Sequence, residues 1–468
     1  MIFFFLNFAR QKIEQLPILY ITVEHLRLRN YMLMLNIAIS DTCANLADKI
    51  EGSRTVNFRS GEAIEEYFEG ADQPCSLLIM GDVTPHDPLS TLVNKDTALM
   101  YYSGEEFMLG SVRDSFDFGL CVLVNNAIAK EAVKRIDRTA TLAGFYDFRL
   151  QLSRFGNVER VAEPFYDVIV HDGEDLDAAH FAYCDPKNRD YQIEAEKVFT
   201  KFLKDINCII KPANEPVAGF DEIKRRYPAT ASVIIPVKDS DEVICDAIQS
   251  ALGQNTNFLF NVIVVDNHSR MPVRRITKFR GIIDPRLIII EPEEDDLLIG
   301  GCWNKAINDP RCGAIAVQLD SDDVYSSENT LQTIVDKFMA EKCCVLVGSY
   351  RLTDIDLNPL NDLIIDHREY TPENGVNNAL RVNGFGAPRC YLTELVRKHQ
   401  FKNVSYGEDY DLCLRLSRRY KLSRIFDVLY LCRRWGKNSD ANLTPEKLAQ
   451  FNRIKDQFRT DEMIQRMR

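Results

Sequence analysis

Gly313–Val324 reads GAIAVQLDSDDV. An apolar run, interrupted by Gln318, gives way directly to three carboxylates, Asp320, Asp322 and Asp323. A short continuous apolar run that ends in polar turn residues predicts a strand buried on both faces. The carboxylates then collect at its carboxyl end, where they repel one another. A hard divalent cation takes oxygen ligands and relieves that repulsion, and it can bridge protein and diphosphate. A solvated acidic turn capping a helix over 326–339 accounts for the same residues equally well.

Upstream, Ser232–Val237 (SVIIPV), Asn261–Asp266 (NVIVVD) and Arg286–Ile290 have the same buried-strand character, and Glu242–Gln254 (EVICDAIQSALGQ) has the apolar spacing of an amphipathic helix. Such strands alternating with helices predict a mainly parallel α/β sheet, whose ligands bind beyond the carboxyl ends of the strands. Pro236, Lys238, Asp239 and Asp266 fall at that edge. An aspartate at a strand end can accept hydrogen bonds from a base or a ribose, although each segment alone is also an ordinary turn. Downstream, Gly407–Leu412 reads GEDYDL, and Leu412, Cys413, Leu416 and Tyr420 form an apolar helical stripe. Asp409 then lies at a helix start, where the dipole favours a carboxylate, and the position suits a general base. Capping by Glu408 and Asp409 is the alternative.

The order SVIIPVKD, AIQSALGQ, VIVVDNHS, LDSDDV, GEDYDLCLRL over about 230–435 resembles the family 2 glycosyltransferases of GT-A fold. The resemblance implies a catalytic domain over 229–440, followed by a helical tail over 441–468. Pro236, Lys238, Asp239, Glu242 and Asp266 would line the nucleotide pocket. Asp322 and Asp323 would hold ribose, metal (Mn²⁺ or Mg²⁺) and diphosphate, with Asp320 in support. Asp409, beside Glu408, would be the base of a single inverting displacement. The implied donor is a nucleotide-diphosphate sugar, a UDP-sugar first, and the acceptor a saccharide or lipid-linked saccharide in surface polysaccharide or glycan synthesis. The chain departs from the family pattern at Lys238-Asp239 and at Gly300-Gly301-Cys302-Trp303-Asn304, which leaves base and sugar preference open. Cys432–Asn438 (CRRWGKN) offers cations for a departing diphosphate and an indole for a sugar face, or is a solvated basic loop.

The first half echoes the second. Gly144–Val168 parallels Glu408–Tyr430, and LLIMGDV ending at Val83 parallels VQLDSDDV ending at Val324, setting Asp82 on Asp323. In this alignment Phe145 stands for Asp409, Gly144 for Glu408, Ile79 for Asp320 and Gly81 for Asp322. Residues 1–225 therefore read as a diverged, non-catalytic GT-A-like domain, set off by the proline-bearing stretch 209–230. A net charge of -12 gives no reason to expect nucleic acid. Thirteen cysteines, an odd number without a CxxC pair, read as reduced core thiols and a cytoplasmic setting. The apolar start MIFFFLNFA is too short to span a bilayer; peripheral placement at the inner membrane face stays open, as does homo-oligomerisation. The rival functions are a nucleotidyltransferase and a glycan- or partner-binding pseudoenzyme.

Overall fold

The computed structural model describes residues 35–43, 52–81, 83–85, 96–102, 105–168, 185–293, 297–436, 438 and 444–468. The apolar N-terminal start, Asp82 and Lys437 lie outside the described residues. The chain divides into two compact units: residues 1–107, 114–175 and 194–202 form the first, and 108–113, 176–193 and 203–468 the second. The expected linker is fastened to the second unit. Val217 donates its N–H to the Lys342 carbonyl at 2.8 Å, and the backbone of Ile210 exchanges two 3.0 Å bonds with the Asn377 amide. The proline interruptions marked irregular backbone there, not a free hinge.

In the second unit, β9 (Ala231–Val237), β10 (Phe260–Asp266), β11 (Leu287–Ile290) and β12 (Ile315–Gln318) form a parallel array in the order β11-β10-β9-β12. Val233–Ile235 and Val262–Val265 are fully buried, as strands covered on both faces must be. The sheet continues through β16 (Arg389–Leu392), antiparallel to β12, then β14 (Val345–Thr353) and β17 (Leu422–Arg433), with β13 (Val324–Tyr325) pairing β17 and β15 (Pro359–Ile365) pairing β14. The sheet is thus parallel over β11-β10-β9-β12 and again where β14 meets β17, and antiparallel at its other pairings. The helix expected over 242–254 spans Ile244–Leu252, since Ser240–Val243 is a turn with Val243 N–H on the Ser240 carbonyl at 3.2 Å.

In the first unit, β1 (Leu35–Ser40), β2 (Ser53–Val56), β3 (Cys75–Ile79), β5 (Thr97–Tyr101), β6 (Cys121–Asn125) and β7 (Asn157–Arg160) are ordered β2-β1-β3-β6-β5-β7. Their senses are parallel, parallel, antiparallel, antiparallel, parallel. The second unit's path β10-β9-β12-β16-β14-β17 has the same senses in the same order. The short pair β4 (Val83–Pro85) and β8 (Tyr166–Val168) matches β13 on β17. A helix follows the antiparallel strand in each, α1 (Asn126–Val133) and α2 (Thr393–His399), and α3 (Gly144–Leu152) corresponds to α4 (Glu408–Ser417). Both units are α/β and share this strand plan; among its described residues the first has no counterpart of β11.

The last helix, α5 (Pro445–Met467), belongs to the second unit and packs on α4. Among the described residues, no helix is long and apolar enough to cross a membrane. Ten of the twelve described cysteines are buried free thiols, in keeping with a core role.

Candidate active site

The carboxyl ends of β9, β10 and β12 lie at one edge of the second unit's sheet. Close approach there begins with backbone: a Cβ on Gly313, at the foot of β12, would sit 2.6 Å from the Ala231 carbonyl carbon of β9. At the far end, Ser321 Oγ bonds Ser240 Oγ at 3.0 Å, which ties the acidic turn to the loop after β9.

The three acidic residues play different parts. Asp320 accepts the Gln318 amide at 2.8 Å on Oδ2, and its own N–H goes to the Tyr430 hydroxyl at 2.9 Å. Asp322 is half-buried, and its Oδ2 accepts from Trp435 Nε1 at 3.2 Å and Asn438 Nδ2 at 2.8 Å. Asp323 is buried, with Oδ1 on the Arg433 N–H at 2.8 Å. Burial, then the charges of Asp322 and Asp320, push its carboxyl well above the usual range. That mutual repulsion is what a cation would relieve, so the donor set fits a divalent metal in kind. Among the described residues no three His, Cys, Asp or Glu side chains converge on one point. Asp323, expected as a ligand, is buried with one oxygen on the Arg433 N–H; Asp322 is the more open carboxylate.

The loop after β17 does something other than what its composition suggested. Arg433 is buried, holding Asp246 through Nη2 at 3.1 Å and the Asp322 carbonyl through Nη1 at 3.4 Å. Trp435 and Asn438 steady Asp322. The loop is thus a clasp on the acidic turn.

Of the proposed nucleotide residues, Pro236 is half-buried within β9, and Lys238 and Glu242 are exposed around the following turn. Asp239 adopts φ +56 and accepts the Arg270 N–H at 2.8 Å, a bond that with the Arg270 guanidinium holds its carboxyl below the ordinary range. Asp266 is buried, and both oxygens serve backbone: Oδ1 takes Ser269 N–H at 3.1 Å and Oδ2 takes Val273 N–H at 2.8 Å. Where a base or ribose contact was expected, its carboxylate fastens the turn into the helix at Val273–Phe279.

Gly407 caps α4 at φ +77, a left-handed conformation suited to glycine, and so places Glu408 and Asp409 in the first turn. Asp409 Oδ2 pairs with Arg389 Nη1 at 2.8 Å. Glu408 is buried beside Gly300; burial first, then the Asp409 charge, push its carboxyl up to about 8. Asp411 is held by Arg415 Nε at 2.8 Å and Lys402 Nζ at 2.9 Å. From α5, buried Lys455 donates to the Asn383 carbonyl at 2.5 Å and lies over the Tyr406 ring; burial lowers its amine to about 8. Sequence reasoning missed Arg389, Gln318, Tyr430 and Lys455. Gln318 carried a signal, as an amide inside an apolar strand; the others had none.

At the matched places of the first unit the groups are covered. A Cβ on Gly81 would lie 2.8 Å from a Leu120 methyl. The first N–H groups of α3 are taken by backbone, Gly144 on the Arg59 carbonyl at 2.9 Å and Phe145 on the Phe58 carbonyl at 2.8 Å. Just before them, Glu194 accepts the N–H groups of Thr141, Leu142 and Ala143 at 2.6–2.9 Å on Oε1.

Residues 232–390 match the family model described as glycosyl transferase family 2. The second half of the chain carries a family 2 glycosyltransferase domain. No curated protein matches the chain. Among solved structures, S. aureus TarS residues 1–349 is similar at 19% identity, with 51% of this chain and 71% of that chain covered and a TM-score of 0.36. The mannosyltransferase PcManGT from Pyrobaculum calidifontis, in complex with GDP-Man and Mn²⁺, is similar at 15% identity, with 62% and 83% covered and a TM-score of 0.36. Glucosyl-3-phosphoglycerate synthase from Mycobacterium tuberculosis, in complex with Mn²⁺, UDP and glucosyl-3-phosphoglycerate, is similar at 14% identity, with 53% and 86% covered and a TM-score of 0.35. For this glycosyltransferase domain, sugar transfer is the reaction class.

Proposed function

We propose that the second unit transfers a sugar from a nucleotide-diphosphate donor, a UDP-sugar first, to a saccharide or lipid-linked saccharide hydroxyl with inversion at the anomeric carbon. The observation that carries this reading is the division of labour at one domain's acidic edge. A clasped carboxylate, Asp322, stands at the end of β12, and an arginine-paired carboxylate, Asp409, stands at the start of α4. Asp409 accepts the acceptor hydroxyl's proton as that oxygen attacks the anomeric carbon, and the nucleoside diphosphate departs with the bonding pair. Lys238, Asp239 and Glu242 line the nucleotide side. Asp322, with Asp320 behind it, would hold Mn²⁺ or Mg²⁺, which supplies charge neutralisation to the diphosphate; Mg²⁺ sites commonly combine one or two carboxylates with substrate phosphates. Glu408, kept protonated at neutral pH by its burial, adds no second negative charge beside the base.

The first unit, with its matched positions covered by Leu120 and by backbone, is proposed to be a non-catalytic copy. Calorimetry on the full chain tests both assignments. UDP is expected to bind one per chain in Mn²⁺, and to lose most of its affinity in EDTA or in Asp322→Ala. Equal affinity with and without metal would remove the cation from the reading, and two nucleotides per chain would overturn the non-catalytic assignment.

A further inference from the structure

Arg389 belongs to no motif in the sequence, yet it stands between the two acidic centres. Its guanidinium Nη1 pairs with Asp409 Oδ2 at 2.8 Å and donates to the Gly386 carbonyl at 2.9 Å. Both side chains of the pair are less than one-fifth exposed, at 19% and 18%. The backbone N–H of Arg389 donates to Gln318 Oε1 at 3.0 Å, and the same amide donates through Nε2 to Asp320 Oδ2 at 2.8 Å. Gln318 is itself fixed, since it is buried in β12. An unbroken line of polar contacts thus runs from the acidic turn through Gln318 and Arg389 to the Asp409 carboxylate.

We propose that Arg389 is the positioning residue that sets the Asp409 carboxylate at a fixed place relative to the acidic turn, leaving Asp409 Oδ1 for the acceptor hydroxyl. This rests on the reading of Asp409 as the base of sugar transfer. Arginine suits the task because its permanent charge holds the carboxylate through Nη1 while the same nitrogen's contact with the Gly386 carbonyl fixes the guanidinium itself. Burial works against the guanidinium charge most, but Asp409 and the other acidic neighbours together, Tyr391 and Asp320 among them, outweigh it, so Arg389 stays firmly protonated.

The first unit gives independent support. β3 pairs with β6 as β12 pairs with β16, with Ser76 opposite Val124 and Val317 opposite Cys390. With Gly81 set on Asp322, Ser76 falls on Val317, which puts Leu123 at the place of Arg389. Phe145 stands at the place of Asp409, so the guanidinium and the carboxylate are absent together from the copy whose site is covered.

A double-mutant cycle on the full-length protein in Mn²⁺ tests the proposal, reading donor affinity by calorimetry and transfer by nucleoside diphosphate release. Arg389→Met is expected to lower kcat by about 10- to 100-fold, the order expected of a misplaced reacting group. Donor affinity should be unchanged, and Arg389→Lys should restore part of the rate by restoring the charge. In the Asp409→Asn background, Arg389→Met should cost nothing further, because the two act as one unit. Losses that multiply in the double mutant, or a fall in donor affinity that matches the fall in rate, would overturn the positioning role. No release by the wild-type protein from any donor and acceptor would overturn the underlying reading of the site, and the inference with it.

Discussion

Asp409 and Glu408 are neighbours in sequence with opposite fates, and the difference is burial. Asp409 keeps a partly open carboxylate against Arg389, while Glu408 is 5% exposed and protonated near neutrality. Asp409→Asn preserves shape but cannot take a proton, so transfer should fall by roughly 10²–10⁴-fold with donor binding intact; steady-state rates beside a donor titration check this. Glu408→Gln should instead change the pH dependence of stability. The folded carboxyl is pushed up to about 8 from the ordinary 4.5 of a free glutamate, so the unfolded chain releases the proton first and folding loses stability as pH climbs between those values. Glutamine has no proton to lose. Denaturation midpoints of mutant and wild type should therefore diverge in the mutant's favour from about pH 4.5 to about pH 8 and run parallel above that. A constant offset across the range would contradict the assigned burial effect. The carboxylates of this site were legible in sequence because charge after an apolar run is a local pattern. Their separate roles were not, since Asp323 and Asp266 are turned inward by backbone N–H groups that only the folded chain brings to them.

At the scale of elements, continuous apolar runs located β9, β10, β11 and β12 closely, and the stripe beginning at Leu412 located α4. Strands such as β16 and β17, which mix polar and apolar residues, gave no such signal. Helix α5 shows why. The sequence reading makes 441–468 a helical tail, and charged residues fill the helix. Those residues are its packing face: Arg459 is fully buried, donating to the Leu380 carbonyl at 2.9 Å, the Val382 carbonyl at 3.1 Å and Asn383 Oδ1 at 2.6 Å, and pairing with Asp456 at 2.7 Å. Buried Arg113 also approaches Asp456, at 3.4 Å. A helix docked through buried ion pairs inverts the amphipathic pattern from which sequence reading infers a core-facing side. Removing one partner leaves a buried charge and bare carbonyls, a loss of about 3–5 kcal/mol. Arg459→Met should therefore lower the unfolding free energy by that amount in urea titration, whereas a helix that merely lies on the surface would show almost no change.

Across the whole chain, two short aligned segments suggest a duplication, and the two sheets share one strand order and one set of strand senses. What sequence could not show is how the units share the chain: segments 108–113 and 176–193 fall to the second unit although they lie within the first half. A cut near residue 225 would separate those segments from their own unit, so function is best tested on the intact protein. An inverting transfer at the second unit's acidic edge leaves its mark on the stereochemistry of the product. The most direct measurement is proton NMR of the product formed by the full-length protein with Mn²⁺, a UDP-α-sugar and a saccharide acceptor, read at the new anomeric proton. Inversion gives the coupling of a β-linked product, of opposite configuration to the donor; an α-linked product would show retention and rule out a single displacement.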